Sequence, residues 1–260
     1  MSNKKKGVRD PEDYLSPHYS SREEIETYAQ IERLFLSNPI PSREILANLG
    51  LFITRASMAR FLFMHSMYQK IIPAHGVIME FGVRWGQNLA LFSTFRNIYE
   101  PQNITRKIIG FDTFEGFPSV SPQDGDSDVA VEGVCPVTPE YQQYLEQLLV
   151  AHEKLAPRSH LKKYEVVKGD VIETLPKYLE RNPETIIAMA YFDVDLYEPT
   201  RQCLELIKDR LHKGSIVGFD ELNMHNFPGE TIAAMEVLGL RNHRVVRDPT
   251  VPYQSYVVIE

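Results

Sequence analysis

Cysteine and long apolar runs are the scarcest features of this sequence. Cys135 and Cys203 are the only cysteines among 260 residues, which are too few for the disulfide framework of a small secreted protein. No stretch reaches the ~18 consecutive apolar residues that would span a bilayer. The basic start at Lys4–Lys6 precedes no apolar segment of the kind that a signal peptide requires. We therefore expect a cytoplasmic protein.

Basic charge is in deficit as well. The 28 Lys and Arg residues are outnumbered by 35 Asp and Glu residues, and the formal net charge is −7. A protein that tracks the nucleic-acid backbone would need a basic face. We therefore expect neither a nucleic-acid partner nor a membrane partner.

The first 74 residues are predicted to form an N-terminal arm and a helical cap. Residues 1–20 are polar and have no periodic pattern, so we interpret them as the arm. Ser21–Glu24 resemble a capping box that begins a helix, and further helices are predicted at 42–48 and 55–69. The third of these helices runs directly into the first strand, which also makes it a candidate pocket wall. Its apolar stripe is more typical of core packing and consists of Phe61, Leu62, Met64 and Tyr68.

From residue 75 to residue 260, predicted strands alternate with predicted helices. The strands fall at residues 77–81, 107–112, 164–168, 186–192, 215–219, 244–247 and 255–259. The last two helices are predicted to begin at Pro199 and Thr231. Near-continuous apolar strands separated by helices are typical of a parallel sheet covered on both faces. The predicted fold class is α/β, with a single sheet domain over 75–260.

The segment Ser119–Pro139 is acidic and too long for a plain connector, so it is a candidate lid or substrate loop. Within it, Asp124, Asp126 and Asp128 imitate the start of a calcium loop. The match fails because Val129 and Cys135 stand where that loop needs glycine and glutamate. We interpret these acids as a solvated loop.

The first chemical signal is Glu80-Phe81-Gly82-Val83-Arg84-Trp85-Gly86, at the end of the first predicted strand. In open parallel sheets, ligands bind beyond the carboxyl ends of the strands. The third glycine of a dinucleotide fingerprint is missing, and an acid before the glycines suits a cationic ligand. The alternative is an ordinary strand-to-helix turn, since many such turns contain two glycines.

Two further acids end the second and third predicted strands. Asp112 is placed to accept hydrogen bonds from both hydroxyls of a ribose, with a helix N-cap as the alternative role. Asp170 is placed to reach an adenine amino group. Glu80, Asp112 and Asp170 therefore fall in series on one edge of the sheet, which is a stronger signal than any one of them.

Four carboxylates follow the fourth and fifth predicted strands: Asp193, Asp195, Asp220 and Glu221. Burying them together without a cation would be costly. Oxygen-only ligands with no histidine or cysteine favour Mg²⁺, with Mn²⁺ as a substitute. The alternative is that one or two of them cap the helices that follow.

The order of these motifs resembles the macrocin O-methyltransferase family of the TylF/MycF type. The resemblance extends over about residues 75–260 and includes Asp112-Thr-Phe-Glu-Gly-Phe-Pro, Asp193-x-Asp195-Leu-Tyr-Glu, Asp220-Glu221 and Phe227-Pro228-Gly229. It implies a class I methyltransferase (Rossmann-like) fold of seven strands, the last of them antiparallel. It also implies an enzyme of natural-product biosynthesis that uses S-adenosylmethionine and Mg²⁺ to methylate a sugar hydroxyl. The acceptor would be a deoxysugar, a nucleotide sugar or a glycosylated antibiotic intermediate.

The resemblance also implies roles for individual residues. The cofactor-binding residues would be Glu80, Gly82, Arg84, Gly86, Asp112, Thr113, Phe114 and Asp170. The metal ligands would be Asp193, Asp220 and Glu221, and Asp195 would be the general base. If Asp195 is not the base, His225 is the next candidate, although the resemblance does not imply it. The sequence departs from the family's pattern at two places. The family usually has Asp where this chain has Glu221, and the loop Leu222–Phe227 also differs.

Other classes of protein remain open at this stage. An NAD-dependent dehydrogenase would share the sheet and the ribose acid, and a non-catalytic cofactor-binding protein would share the first three acids. The nearest enzymatic alternative is a catechol-type O-methyltransferase, which would also use Mg²⁺ to hold two oxygens. We expect a small-molecule sugar acceptor and a homo-oligomeric enzyme.

Overall fold

The computed structural model describes residues 21–127 and 130–260, so the predicted arm over 1–20, Asp128 and Val129 lie outside the described residues. The α-helices of these ranges are α1 (Arg22–Leu36), α2 (Ser42–Ile45), α3 (Arg55–Ile71), α4 (Gln87–Tyr99), α5 (Tyr141–Lys154), α6 (Val171–Arg181), α7 (Tyr197–Ile207) and α8 (Pro228–Val237). The strands are β1 (Val77–Phe81), β2 (Ile108–Asp112), β3 (Tyr164–Lys168), β4 (Ile187–Phe192), β5 (Leu211–Phe219), β6 (Arg244–Arg247) and β7 (Ser255–Val258). A 3-10 helix, Leu46–Leu51, continues α2.

The strands form one seven-stranded sheet in the order β3-β2-β1-β4-β5-β7-β6. Strands β1 to β5 pair in parallel, and β7 is antiparallel to both of its neighbours, β5 and β6. This architecture confirms the predicted α/β class with a mostly parallel sheet. The chain order reverses between β1 and β4, and in open sheets ligands bind at such a switch point.

Both faces of the sheet are covered by helices. Successive side chains of a strand point to opposite faces: Ile78 belongs to the core shared with α3, α4 and α5, whereas Met79 belongs to the core shared with α6, α7 and α8. Strands buried on both sides need apolar residues at nearly every position, which is why their sequences are almost continuously apolar.

The N-terminal helices differ in how they are buried. The predicted capping box of Ser21 and Glu24 is confirmed, but none of the residues of α1 is buried. In α3, Phe63, Met64 and Tyr68 have no exposed surface, whereas Leu62 is 49% exposed. The predicted stripe is therefore half wrong: Met64 and Tyr68 are buried in the core, but Phe61 and Leu62 are not. The helix faces the sheet with the side that carries Phe63. Helix α3 shares the core of the sheet. The domain boundary at residue 74 stays a prediction.

Two helices begin earlier than predicted. Helix α8 begins at Pro228 instead of Thr231, because proline is well suited to the first turn of a helix, where its missing N–H costs no hydrogen bond. Helix α7 begins at Tyr197 instead of Pro199, and its first N–H is satisfied from outside the helix. The Oδ1 atom of Asp124 accepts a hydrogen bond of 2.6 Å from the backbone N–H of Tyr197.

Asp124 corrects the interpretation of the acidic loop as solvated. Its side chain is buried, and its Oδ2 atom accepts hydrogen bonds of 2.7 Å from the backbone N–H and the hydroxyl of Ser121. Its other oxygen binds the start of α7. Asp124 therefore attaches the loop to the helix that follows β4, whereas Asp126 is exposed as expected.

In the described part of the chain, no individual helix combines the length and hydrophobicity needed to cross a membrane. The segments Ser42–Leu51 and Arg55–Ile71 meet the criterion only when taken together, and they meet at an angle of 85°.

Candidate active site

A cavity of about 400 Å³ lies at the carboxyl ends of β1 to β5, within the size range of small-molecule sites. Nine of the residues singled out from the sequence line it: Gly82, Arg84, Asp112, Thr113, Asp170, Asp193, Asp195, Asp220 and Glu221. Four others do not line it: Glu80, Gly86, Phe114 and His225. Residues of the candidate lid, Ser119 and Cys135, also line the cavity.

The turn after β1 depends on a glycine. Gly82 has φ +88°, and a Cβ atom added there would lie 1.9 Å from the backbone oxygen of Asp193. Glycine therefore allows the ends of β1 and β4 to approach closely. Gly86 has φ +76° and is the N-cap residue of α4.

Glu80 lies just behind the cavity and is buried. Its Oε1 atom accepts a hydrogen bond of 2.9 Å from the side-chain amide of Asn88, which lines the cavity. Within the described ranges, Glu80 Oε2 and Asn88 Oδ1 are buried acceptors without a hydrogen-bond donor. Burial raises the pKa of Glu80 well above its usual value. Two unsatisfied acceptors on side chains that are hydrogen-bonded to each other suit an ammonium group. Asn88 was not singled out from the sequence.

Asp112 organises the turns after β1 and β2. Its Oδ2 atom accepts hydrogen bonds of 2.6 Å from the N–H of Val83 and 2.7 Å from that of Arg84. Its Oδ1 atom accepts one of 2.5 Å from the N–H of Phe114. Asp112 caps no helix, because the chain continues into a non-helical turn. Phe114 is buried in the core next to this turn, with φ +59°.

Asp170 has a structural role in addition to its place in the cavity. It is the N-cap residue of α6, and its Oδ1 atom accepts a hydrogen bond of 3.0 Å from the N–H of Ile172. Thr113 lines the cavity near Asp112 and donates its hydroxyl hydrogen bond to the backbone oxygen of Gly116.

An acidic cluster occupies the other end of the cavity. One carboxylate oxygen each from Asp193, Asp195 and Glu221 lie within 4.8 Å of one another. Asp195 has φ +61°, an unfavourable conformation for a residue other than glycine that is often found at functional sites. It does not cap α7, since the N-cap residue is Leu196 and that cap has no side-chain hydrogen bond. The helix-cap role considered for Asp195 is therefore wrong.

Arg60 of α3 joins two of the acids. Its Nη1 atom lies 2.6 Å from Asp220 Oδ1, and its Nη2 atom lies 2.7 Å from Asp193 Oδ2. Asp220 also accepts hydrogen bonds from the hydroxyl of Tyr191 and, at 3.1 Å, from the amide of Gln254. The sequence indicated α3 as a candidate pocket wall, but no local pattern connects residue 60 with residues 193 and 220.

A fifth carboxylate lies behind this cluster. Glu230 of α8 has no exposed surface, and its Oε2 atom accepts a hydrogen bond of 2.8 Å from the N–H of Glu221. Burial and neighbouring carboxylates raise the pKa of Glu221 and of Glu230 well above the usual value. Burial raises the pKa of Asp195 to about 6, although a hydrogen bond with Glu221 opposes this rise. The site therefore contains more carboxylates than its arginines can neutralise, which favours the binding of a cation.

These raised pKa values predict an unusual pH dependence of stability. The folded protein binds protons more tightly than the unfolded chain, so the free energy of unfolding should increase as the pH falls through the folded-state pKa values. A shift in the pKa of Asp195 from 3.8 to about 6 adds about 1 kcal/mol between pH 7 and pH 5, which corresponds to ~2–4 °C in Tm. Calorimetry in EDTA should show this rise. A Tm that falls steadily from pH 7 to pH 5 would contradict it, and Asp195→Asn should show a smaller rise.

The seven-stranded sheet, mostly parallel and with β7 antiparallel, is the class I S-adenosylmethionine-dependent methyltransferase fold. The model of the macrocin O-methyltransferase (TylF) family matches residues 53–249, and the chain belongs to this family. The match begins at residue 53, earlier than the resemblance over about 75–260, and therefore includes α3. The chain is thus an S-adenosylmethionine-dependent O-methyltransferase, as predicted, and the dehydrogenase and non-catalytic alternatives are excluded.

Solved structures agree with this membership. CalS11, described as a calicheamicin methyltransferase, is 43% identical, with 99% of each chain covered and a TM-score of 0.90. An apo structure of CalS11, described as a TDP-rhamnose 3′-O-methyltransferase, is 42% identical, covers 93% of this chain and 96% of that chain, and has a TM-score of 0.81. The O-methyltransferase NovP, at 18% identity, shares the fold, with 77% and 79% of the chains covered and a TM-score of 0.58. No curated protein sequence gives a significant match.

Proposed function

We propose that this enzyme transfers a methyl group from S-adenosylmethionine to a hydroxyl of a sugar, with Mg²⁺ bound at the acceptor. The observation that carries the proposal is the juxtaposition, in one cavity, of the residues after β1 to β3 with the acids after β4 and β5. The 43% identity to CalS11 over 99% of both chains supports a nucleotide sugar of an antibiotic pathway as the acceptor. Cytoplasmic location and homo-oligomerisation stay predictions.

The cofactor end of the cavity fits S-adenosylmethionine. Glu80 and Asn88 offer two buried acceptors to the ammonium group of its methionine part. Asp112 and Asp170 line the wall formed by the ends of β2 and β3, where the ribose and adenine are expected. When bound, the cofactor supplies an activated methyl group on its sulfonium. The residues of the chain bind this molecule and orient it towards the acidic cluster.

Glu80→Gln should weaken binding of S-adenosylmethionine by about 10–100-fold, because a charge-assisted hydrogen bond contributes ~1.5–3 kcal/mol. The same substitution removes a buried carboxylate and should leave the Tm of the ligand-free protein unchanged or higher. Titration calorimetry measures the affinity. Glu230→Gln is the matched control, since it removes another fully buried carboxylate at the acceptor end. Equal affinities in Glu80→Gln and the wild type would remove Glu80 from the cofactor site.

The acidic end of the cavity fits Mg²⁺. Asp193 and Asp220 already share one cation, the guanidinium of Arg60. Among the described residues, Glu221 Oε2 and Asp195 Oδ1 are buried acceptors without a donor. Asp193, Asp220 and Glu221 are the proposed ligands, and all of them offer the oxygen atoms that Mg²⁺ prefers. When bound, Mg²⁺ supplies a positive charge that lowers the pKa of the acceptor hydroxyl.

Asp195 is the proposed general base. Its Oδ1 atom accepts the proton of the acceptor hydroxyl, which makes the oxygen nucleophilic enough for methyl transfer. No helix cap occupies this carboxylate, and a pKa of about 6 leaves it ionised at neutral pH yet able to bind a proton. The strained backbone at Asp195 holds the carboxylate against the cavity.

The acceptor class is tested by methyl-transfer assays with TDP-rhamnose, other nucleotide sugars, glycosylated intermediates and a catechol. We expect transfer to a nucleotide sugar. Transfer to catechol alone would favour the catechol-type alternative, because both acceptors present two neighbouring oxygens to a metal ion.

A further inference from the structure

Arg60 is a cation built into the acidic end of the cavity, and its role follows from what its two nitrogens contact. We propose that Arg60 competes with the divalent cation for Asp193 and Asp220, and so sets the metal affinity of the enzyme while keeping both acids in place. The inference rests on the proposed metal site.

The two acids are held differently. Asp220 accepts hydrogen bonds from Tyr191 and Gln254 as well as from Arg60, and its side chain is only 10% exposed. Asp193 receives its ion pair from Arg60 across 2.7 Å, and its side chain is 30% exposed. Withdrawal of the guanidinium would leave Asp220 anchored by Tyr191 and Gln254. Asp193 is therefore the acid whose freedom depends most on Arg60.

The guanidinium of Arg60 also neutralises part of the negative charge of the acidic cluster. Its positive charge counteracts the rise in the pKa of Asp193 that burial causes. An arginine side chain keeps its positive charge in proteins. A metal ion therefore has to displace or share a permanent cation.

The helix that carries Arg60 cannot easily move away. Ala59 and Phe63, one residue before and three residues after Arg60, are buried in the core. Arginine has a long side chain with several rotatable bonds, so the guanidinium can swing while the backbone of α3 stays fixed. The exchange between arginine and metal is thus a side-chain movement, and it couples α3 to the ends of β4 and β5.

Competition predicts that removal of the charge tightens metal binding. In the protein stripped with EDTA and without cofactor or acceptor, Arg60→Met should bind Mn²⁺ at least ~10-fold more tightly than the wild type, since one repulsive unit charge within a few ångströms is lost. Arg60→Lys keeps a charge but cannot bridge two acids, so its Kd for Mn²⁺ should lie between that of Arg60→Met and that of the wild type. Arg55→Met, at the exposed start of the same helix, is the control and should keep the wild-type Kd.

The readout is Mn²⁺ affinity, measured by electron paramagnetic resonance and checked with Mg²⁺ by calorimetry. Metal-free Arg60→Met should also have a lower Tm than the metal-free wild type, because Asp193 and Asp220 lose their ion pairs. Saturating Mg²⁺ should raise the Tm of this variant by more than it raises that of the wild type. If Arg60→Met does not fold, the Kd of Arg60→Lys decides. A wild-type Kd in the Arg60 variants, or a weaker affinity, would overturn the competition while leaving the metal site intact. Absence of Mn²⁺ binding in every protein would instead overturn the proposed metal site, and this inference with it.

Discussion

Asp195→Asn is expected to lower kcat by about 10²–10⁴-fold, the usual contribution of a general base. Asparagine keeps the shape of the side chain but cannot accept the proton of the acceptor hydroxyl. Asparagine also tolerates a positive φ better than most residues, so residue 195 should keep its φ of 61°. Affinity for S-adenosylmethionine should be unchanged, because Asp195 lies at the acidic end of the cavity. Single-turnover rates at saturating substrate measure the effect.

The matched control is Asp124→Asn. Asp124 binds the N–H of Tyr197 at the start of α7, the structural role that was considered for Asp195. Asparagine still accepts the N–H of Tyr197 but presents its amide NH₂ group to the N–H of Ser121, so the substitution should cost about 1 kcal/mol of stability and change kcat little. If Asp195→Asn instead resembles this control, the proton has another acceptor. His225 is poorly placed for that role, because it is exposed and outside the residues that line the cavity.

The positions of the strands along the chain, and the sheet edge at which the acids gather, follow from local sequence. Strands such as Val77–Phe81 are buried on both faces, so their apolar residues run almost without interruption. The acids that follow β1 to β5 mark one edge, because parallel strands end on the same side of the sheet. Asp193, Asp195 and Glu221 were thereby recognised before any contact between them was known.

The partners of these acids could not be recognised in the same way. Arg60 and Asn88 belong to helices whose own periodicity gives no sign of a distant carboxylate, and Gln254 lies in the loop just before β7. Each has an ordinary local interpretation as a solvated or packed helix or loop residue. Their roles arise only when the sheet order brings α3, α4 and β7 next to the ends of β1, β4 and β5.

Helix starts show the same limit on a smaller scale. The start of α1 was predictable, since Ser21 and Glu24 cap it from within three residues. The start of α7 was not, since the side chain that accepts a hydrogen bond from its first N–H belongs to Asp124, which is 73 residues away in the chain. The N-cap position of α7 is Leu196, so Asp195 has no capping role.

Removal of divalent cations with EDTA is expected to abolish turnover while leaving the Kd for S-adenosylmethionine nearly unchanged. The cofactor residues lie after β1 to β3, whereas the proposed metal ligands lie after β4 and β5. Without the ion, the acceptor hydroxyl keeps its high pKa and faces a cluster of carboxylates. Arg60 offers partial charge compensation, but its nitrogens are already engaged by Asp193 and Asp220.

Three measurements make this expectation specific. Added Mg²⁺ or Mn²⁺ should restore the rate, because both ions accept oxygen ligands. Glu221→Gln should require a higher Mg²⁺ concentration for half-maximal rate, because an amide oxygen is a weaker ligand than a carboxylate, while its cofactor Kd stays that of the wild type. Asp170→Asn lies at the cofactor end and should keep the wild-type Mg²⁺ requirement. Full activity after exhaustive chelation would show that Asp195 and its neighbours activate the acceptor without a metal ion.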